Sequence, residues 1–230
     1  MRTSAIHGAA THAHYPTFLD LRGRACVVIG GGRIAQRKAT GLLECGACVT
    51  VVSPSVTTRL QRLARAGRVR HLARRFRPSD LRGAWLAIAA TNDEAVNAVV
   101  ARAAAKARIF TNVVDRKALC SWIAPAVVRR GPLTIAISTG GASPSIAKRL
   151  RKELMTFAAG AEYGRMASLL GSLRVAAHAG LPGFRQRQRY FQKLMDGPVF
   201  RLVRAGRTVE ARHRALAVLK RESNLLHRVN

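Results

Sequence analysis

Hydrophobic residues along this chain follow two rhythms. Ala25 to Ile29 is an unbroken apolar run that ends in Gly30-Gly31-Gly32, and apolar positions then return at helical spacing from Arg33 to Glu44. Short apolar or β-branched runs recur at Ala47–Val52, Val69–Leu72, Trp85–Ala89 and Ile109–Val114. Runs of this length and composition suit strands buried on both faces. Gln61–Ala66 and Glu94–Lys106 lie between them with helical spacing, and Ser53-Pro54-Ser55 is expected to break the second strand and cap the helix after it. Strands alternating with helices predict an open parallel sheet with helices on both faces.

After Asp115 the pattern changes. Ser121–Pro125, Ala126–Val128 and Leu133–Ile137 read as short strands, followed by the polar loop Ser138-Thr139-Gly140-Gly141-Ala142-Ser143-Pro144. Ser143 is expected to cap a helix with Pro144 at its first position, running through Ile146 to Phe157, and such a helix start suits a bound anion as well as an ordinary turn. From Glu162 apolar residues keep helical spacing (Met166, Leu169, Leu170, Leu173; Tyr190, Phe191, Leu194; Leu216, Val218, Leu219), with turns at Gly180-Leu181-Pro182-Gly183 and Asp196-Gly197-Pro198. This region reads as a packing or dimerisation module.

The 230 residues suffice for one or two domains with a true core, and 48% hydrophobic content excludes global disorder. No apolar stretch approaches the roughly 20 residues of a membrane span. Met1 to His14 holds one arginine and no apolar core of a signal peptide, so a cytoplasmic protein is expected. Forty Lys and Arg against 11 Asp and Glu give a formal charge of +29. A polyanion is the natural partner: nucleic acid, or a small ligand carrying several carboxylates. A generally basic cellular setting explains the charge equally simply. No aromatic platform for single strands accompanies the arginines, which argues against nucleic acid. Cys45-Gly46-Ala47-Cys48 has the spacing of a redox or metal pair. Gly46 reads as the end of one helix and Cys48 as the start of the next strand, so both thiols are expected to pack locally, with no second pair to complete a zinc site.

The glycine turn carries the first chemistry. Gly30 would make the turn, Gly32 would let backbone approach phosphates, and Ala35 would take the third small position where helix meets strand, an arrangement that seats a dinucleotide pyrophosphate. Alone, it fits a ligand-free connection as well. An acid commonly ends the second strand to bind the ribose; here Ser53-Pro54-Ser55 offers hydroxyls, and Arg59 lies close enough in sequence to approach a 2′-phosphate. NAD and NADP both stay open.

Taken together, Val28-Ile29-Gly30-Gly31-Gly32, Arg37-Lys38-Ala39, Trp85-Leu86-Ala87-Ile88-Ala89-Ala90-Thr91, Asn112-Val113-Val114-Asp115 and Ser138 to Pro144 resemble, in this order, the precorrin-2 dehydrogenase and ferrochelatase part of siroheme synthase. The resemblance runs from about Tyr15 to Arg151 and continues more weakly through the tail, where Arg187-Gln188-Arg189-Tyr190-Phe191 is similar to the dimerisation region. It implies an α/β fold with a Rossmann-like domain at 15–115, a small α+β dimerisation and active-site segment at 116–160 and a helical domain at 161–230. It also implies a homodimer that oxidises precorrin-2 to sirohydrochlorin with NAD and, in bifunctional members, inserts ferrous iron. On that basis Asp115 is the catalytic residue. Gly30, Gly32, Arg33, Ile34, Ser53, Pro54, Ser55 and Thr91 contact the cofactor, and Asn112, Thr139, Gly140, Gly141 and Ser143 contact the substrate. Some members carry a phosphorylatable serine where this chain has Thr139. The methyltransferase domain fused to many members has no counterpart in the 230 residues.

The chemistry is consistent with the resemblance. Oxidation removes a hydride and a proton, so the site needs an acceptor beside the macrocycle and a base, and Asp115 ends a strand where open sheets bind ligands. A carboxylate there would also accept pyrrole protons during metal insertion. No protein metal-ligand set is expected, because the macrocycle nitrogens become the ligands. A polycarboxylate tetrapyrrole suits the positive charge. Exposed ion pairs contribute only about 0 to 1 kcal/mol each, so most arginines would steer and a few would clasp carboxylates bidentately. Two other readings compete: an NAD-sensing regulatory module with a helical partner surface, which leaves Asp115 and the Thr139 loop unexplained, and a basic nucleic-acid-binding protein, which explains only the charge.

Overall fold

The computed structural model describes residues 14–157 and 161–226; the stretch 1–13, which the sequence reads as lacking a signal-peptide core, lies outside the described residues. They divide into two compact units, residues 14–124 with Gly140–Ala142, and Pro125–Thr139 with residues 143–226.

The first unit is built on five parallel strands, β1 (Ala25–Ile29), β2 (Cys48–Val52), β3 (Val69–Leu72), β4 (Leu86–Ala89) and β5 (Phe110–Val113), in the order β3-β2-β1-β4-β5. Successive side chains of a strand point to opposite faces, and both faces here are covered. Cys26 and Val28 of β1 pack with Ala35, Ala39 and Leu42 of α1 (Arg33–Glu44) and Leu60 of α2 (Thr58–Arg65). Val27 and Ile29 pack on the other face with Val100 and Ala104 of α3 (Glu94–Lys106). This two-sided burial is why β1 reads as an unbroken apolar run. The chain leaves β1 toward β2 on one side and β4 on the other, so the carboxyl ends of β1 and β4 flank the crevice where sheets of this kind bind ligands.

The structure corrects three details. Thr57 caps α2, its hydroxyl oxygen accepting from the Leu60 N–H at 3.4 Å. Ser53-Pro54-Ser55 lies upstream because that loop is drawn against the glycine turn, where the Thr57 N–H bonds to the Gly31 carbonyl at 3.0 Å. Ser121–Pro125 forms no strand. Instead Ser121 covers the open edge of β5, its N–H bonding to the Thr111 carbonyl at 2.9 Å and its hydroxyl oxygen accepting from the Thr111 N–H at 2.7 Å, while Trp122 turns into the core on the α1 side. Cys48 is exposed, because it opens β2 at the end of the sheet, whereas Cys26 is fully buried. Burial first, then the neighbouring Cys48 and Cys45, pushes the Cys26 thiol up to about 11.

The second unit opens with an antiparallel hairpin, β6 (Ala126–Arg130) and β7 (Leu133–Ile137), followed by α4 (Pro144–Phe157). Then come α5 (Glu162–Gly180), α6 (Phe184–Asp196), α7 (Pro198–Arg204) and α8 (Thr208–Leu226). Met166, Leu173, Ala177, Tyr190, Leu194, Val203 and Ala215 form the core of this bundle. Tyr190 is fully buried, and its hydroxyl donates to the Ala215 carbonyl at 3.1 Å. Among the described residues no helix is long and apolar enough to cross a membrane.

Candidate functional site

Close packing dictates the first two glycines of the turn after β1. Gly30 is buried with φ +119°, and a Cβ there would stand 2.3 Å from the Ala90 carbonyl oxygen. A Cβ on Gly31 would meet the Ser55 carbonyl oxygen at 1.8 Å. These two positions therefore bring the end of β4 and the loop after β2 against the turn. Gly32 differs: it is exposed, its φ of −78° suits any residue, and a Cβ there would meet nothing within 4 Å.

Gly32 is also the N-cap of α1, where no side chain caps the helix and the first turn holds no acid. The leading N–H groups of a helix have no intrahelical acceptors, and the dipole makes that end attractive to an anion. Gln36 is the first residue to close the helical ladder, onto the Gly32 carbonyl at 2.9 Å. The open space over Gly32 and the uncapped N–H groups fit a pyrophosphate. Arg33 and Ile34 are both exposed at this end.

The remaining cofactor candidates lie at the same edge of the sheet. Ser53 is half-buried, its N–H bonded to the Leu72 carbonyl at 3.2 Å and its carbonyl 2.9 Å from His71 Nε2; Pro54 and Ser55 are exposed, as is Arg59 in the first turn of α2. Thr91 follows β4, but its hydroxyl is engaged locally. It accepts from the Asp93 N–H at 3.1 Å and donates to the Asp93 carbonyl or to Asn97 Oδ1.

Asp115 is exposed two residues beyond β5, with φ +58°, a left-handed conformation uncommon outside glycine and worth attention when it recurs at binding sites. Its loop is tied on several sides. Arg116 pairs with Glu94, and Lys117 Nζ donates to the Gly140 carbonyl at 2.6 Å beside Gly141. Asn112 is buried, and its amide donates to the Trp122 carbonyl at 3.2 Å, so that side chain supports the loop. Lys38 of α1 is half-buried. Burial, and after it the Arg37 guanidinium, push its ammonium below the ordinary lysine range, while Cys120 and Asp115 oppose the shift.

Thr139 and Ser143 belong to the second unit, where their polar groups close a turn. The Thr139 hydroxyl accepts from the Ser143 N–H at 3.0 Å and donates to the Ser143 carbonyl at 3.1 Å, and Ser143 Oγ accepts from the Ile146 N–H at 3.3 Å at the start of α4. The sequence motif Arg37-Lys38-Ala39 contains Lys38 but assigns it no role, and none is assigned to Lys117 or Cys120. Lys38 had a signal, since it lies one place before Ala39 on the buried stripe of α1; the other two had none beyond nearness to Asp115. Among the described residues no group of three or more His, Cys, Asp or Glu is arranged to hold a metal ion.

Three family models match the chain in order: a putative NAD(P)-binding family over residues 17–126, the central region of a sirohaem biosynthesis protein over 130–155, and a sirohaem synthase dimerisation region over 162–219. A siroheme synthase of Methylobacillus flagellatus is 41% identical over 212 residues, which cover 92% of this chain and 45% of that protein. One from Xylella fastidiosa is 43% identical, covering 87% of this chain and 42% of that protein. The chain thus spans less than half the length of these relatives. Among solved structures, SirC, a precorrin-2 dehydrogenase, superposes with a TM-score of 0.73 at 28% identity, covering 90% of this chain and 100% of that one. With NAD(P)-binding, central and dimerisation regions all matched in sequence order, the chain is homologous over most of its length to siroheme synthases.

Proposed function

We propose that this protein oxidises precorrin-2 to sirohydrochlorin with NAD and then inserts ferrous iron to give siroheme. The observation that carries this reading is the shared placement of two features at the carboxyl ends of one parallel sheet: an uncapped helix start open above Gly32, and the exposed Asp115 carboxylate. Gly30 shapes the turn, and Gly32 with the N–H groups of Arg33 and Ile34 holds the pyrophosphate. Ser53, Pro54 and Ser55 border the ribose, and Thr91 shapes the end of β4 beside it.

NAD, when bound, supplies the hydride acceptor. The substrate loses one hydride and one proton, giving sirohydrochlorin, NADH and a proton, and Asp115 takes the proton. During metal insertion the same carboxylate accepts pyrrole protons as iron replaces them. Lys38, Arg116 and Lys117 place positive charge around Asp115 and attract a polycarboxylate macrocycle. Asn112 acts by supporting the loop, and Gly140 and Gly141 lie against Lys117 where they border the substrate. Thr139 and Ser143, which lie in the second unit, are proposed as substrate contacts on the resemblance alone, and the α5–α8 bundle is proposed to supply the homodimer contact.

The test is an anaerobic assay of the purified chain with precorrin-2 and either NAD or NADP, followed by ferrous ion. NAD-dependent appearance of the sirohydrochlorin spectrum, converted to that of siroheme by iron, is expected. No oxidation with either cofactor would overturn the dehydrogenase assignment. Oxidation without acceleration of iron insertion over the protein-free rate would overturn the chelatase assignment alone.

A further inference from the structure

We propose that Cys120 is the positioning residue that holds Asp115 in its left-handed conformation; the catalytic consequence rests on Asp115 acting as the base. β5 is an edge strand of the parallel sheet. In a parallel ladder alternate residues direct their backbone groups to opposite sides. The Val114 N–H turns inward to the Ala89 carbonyl at 3.0 Å, so Thr111 and Val113 present theirs to the open edge. Ser121 satisfies Thr111.

Val113 is satisfied by a thiol. Cys120 Sγ accepts from the Val113 N–H at 3.2 Å and donates its one hydrogen to the Val113 carbonyl at 3.2 Å or the Arg116 carbonyl at 3.3 Å. The Cys120 N–H closes on the Lys117 carbonyl at 3.0 Å, and the Arg116 N–H on the Val113 carbonyl at 3.3 Å. The thiol therefore sits inside the turn that carries Asp115, joining the residue two before it to the residue after it. An L-residue at φ +58° persists where its surroundings over-determine it, and this knot ties the backbone on both sides of Asp115. Cys120 packs against the core on the α3 side, which fixes the sulfur in turn.

The sulfur works as a weak donor and acceptor of suitable length. Serine keeps both functions on a shorter bond, and alanine keeps neither.

The experiment uses the full chain with Cys120→Ala, Cys120→Ser and Asp115→Ala. Steady-state kinetics on precorrin-2, NAD affinity by fluorescence titration, and amide hydrogen exchange at Val113 and Arg116 are measured for each. Cys120→Ala is expected to lower kcat by roughly ten- to a hundredfold, as misplacing a catalytic group does, with KM and NAD affinity within about threefold of the parent. Exchange at Val113 is expected to accelerate, and Cys120→Ser to recover most of kcat and of the protection. Parent-like kcat in Cys120→Ala, or Cys120→Ser no better than Cys120→Ala, would overturn the proposal. The exchange measurement stands apart from catalysis. Unchanged exchange in Cys120→Ala refutes the positioning itself, whereas full turnover by Asp115→Ala with accelerated exchange in Cys120→Ala refutes the role given to Asp115 and leaves the knot in place.

Discussion

Gly30 and Gly32, two glycines of one turn, should fail in different ways when each gains a methyl group. In Gly30→Ala the new Cβ stands 2.3 Å from the Ala90 carbonyl oxygen, so that backbone must retreat by about 1 Å to reach an ordinary contact of 3.4 Å. At φ +119° an L-residue adds conformational strain on the order of 1–3 kcal/mol. With the displacement of β4, the expected loss is about 3 kcal/mol or more, a large part of the 5–15 kcal/mol typical of a folded domain. Gly32→Ala meets nothing within 4 Å at an ordinary φ, so its cost is that of alanine at an N-cap, under about 1 kcal/mol. Yet the methyl enters the space proposed for the pyrophosphate. NAD affinity should therefore fall at least about tenfold, equivalent to about 1.4 kcal/mol. Urea unfolding of the cofactor-free protein gives the first quantity and fluorescence titration with NADH the second. Equal destabilisation by the two substitutions would show that packing does not dictate Gly30, and undiminished NADH affinity in Gly32→Ala would show that the pyrophosphate does not lie over Gly32.

Other expectations concern the scaffold. Asp80 accepts a two-pronged bond from Arg74 at 2.6 and 2.9 Å and the Arg77 N–H at 2.8 Å, with its side chain 5% exposed, so Asp80→Ala should cost about 2 kcal/mol in urea unfolding. The Arg74 bond, then that from Arg77, holds the Asp80 carboxyl below its usual range. Its contribution is therefore complete above the unfolded value of about 3.9 and is lost as pH falls through the folded value; stability measured down an acid series should decline less steeply in Asp80→Asn. Tyr190→Phe leaves the Ala215 carbonyl without its buried donor and should cost about 1 kcal/mol, visible as a lower urea midpoint at unchanged slope.

The architecture was legible because each signal was local and repeated. The apolar runs of β1 and β2 are buried on both sides, and α3 begins and ends where its spacing does, from Glu94 to Lys106, behind an Asp93 cap. The glycine turn was visible as composition, but the separate reasons for its residues were not. Gly30 and Gly31 answer to carbonyls of Ala90 and Ser55, which are distant in sequence. The cap of α2 moved from Ser53–Ser55 to Thr57 for the same reason, since the contact to Gly31 decides how the loop runs. Ser121–Pro125 had strand-like composition, yet Ser121 and Trp122, with Cys120 just before them, reach the edge of β5 through single bonds that alternation does not encode. At the candidate site, several side chains chosen for ligand chemistry, Thr91, Asn112 and Thr139 among them, prove to be bonded within the protein. A sequence states which groups are polar; their partners arise from the fold.

Asp115, just beyond β5, is proposed to take the proton during oxidation. Single-turnover oxidation of precorrin-2 under anaerobic conditions, at saturating NAD, compares the parent chain with Asp115→Ala and Asp115→Asn after each variant is shown to bind NADH with parent affinity. Both substitutions should slow the oxidation step by at least about a hundredfold, the scale of a lost general base. Oxidation at the parent rate in either variant, with NADH affinity intact, would rule out Asp115 as the base.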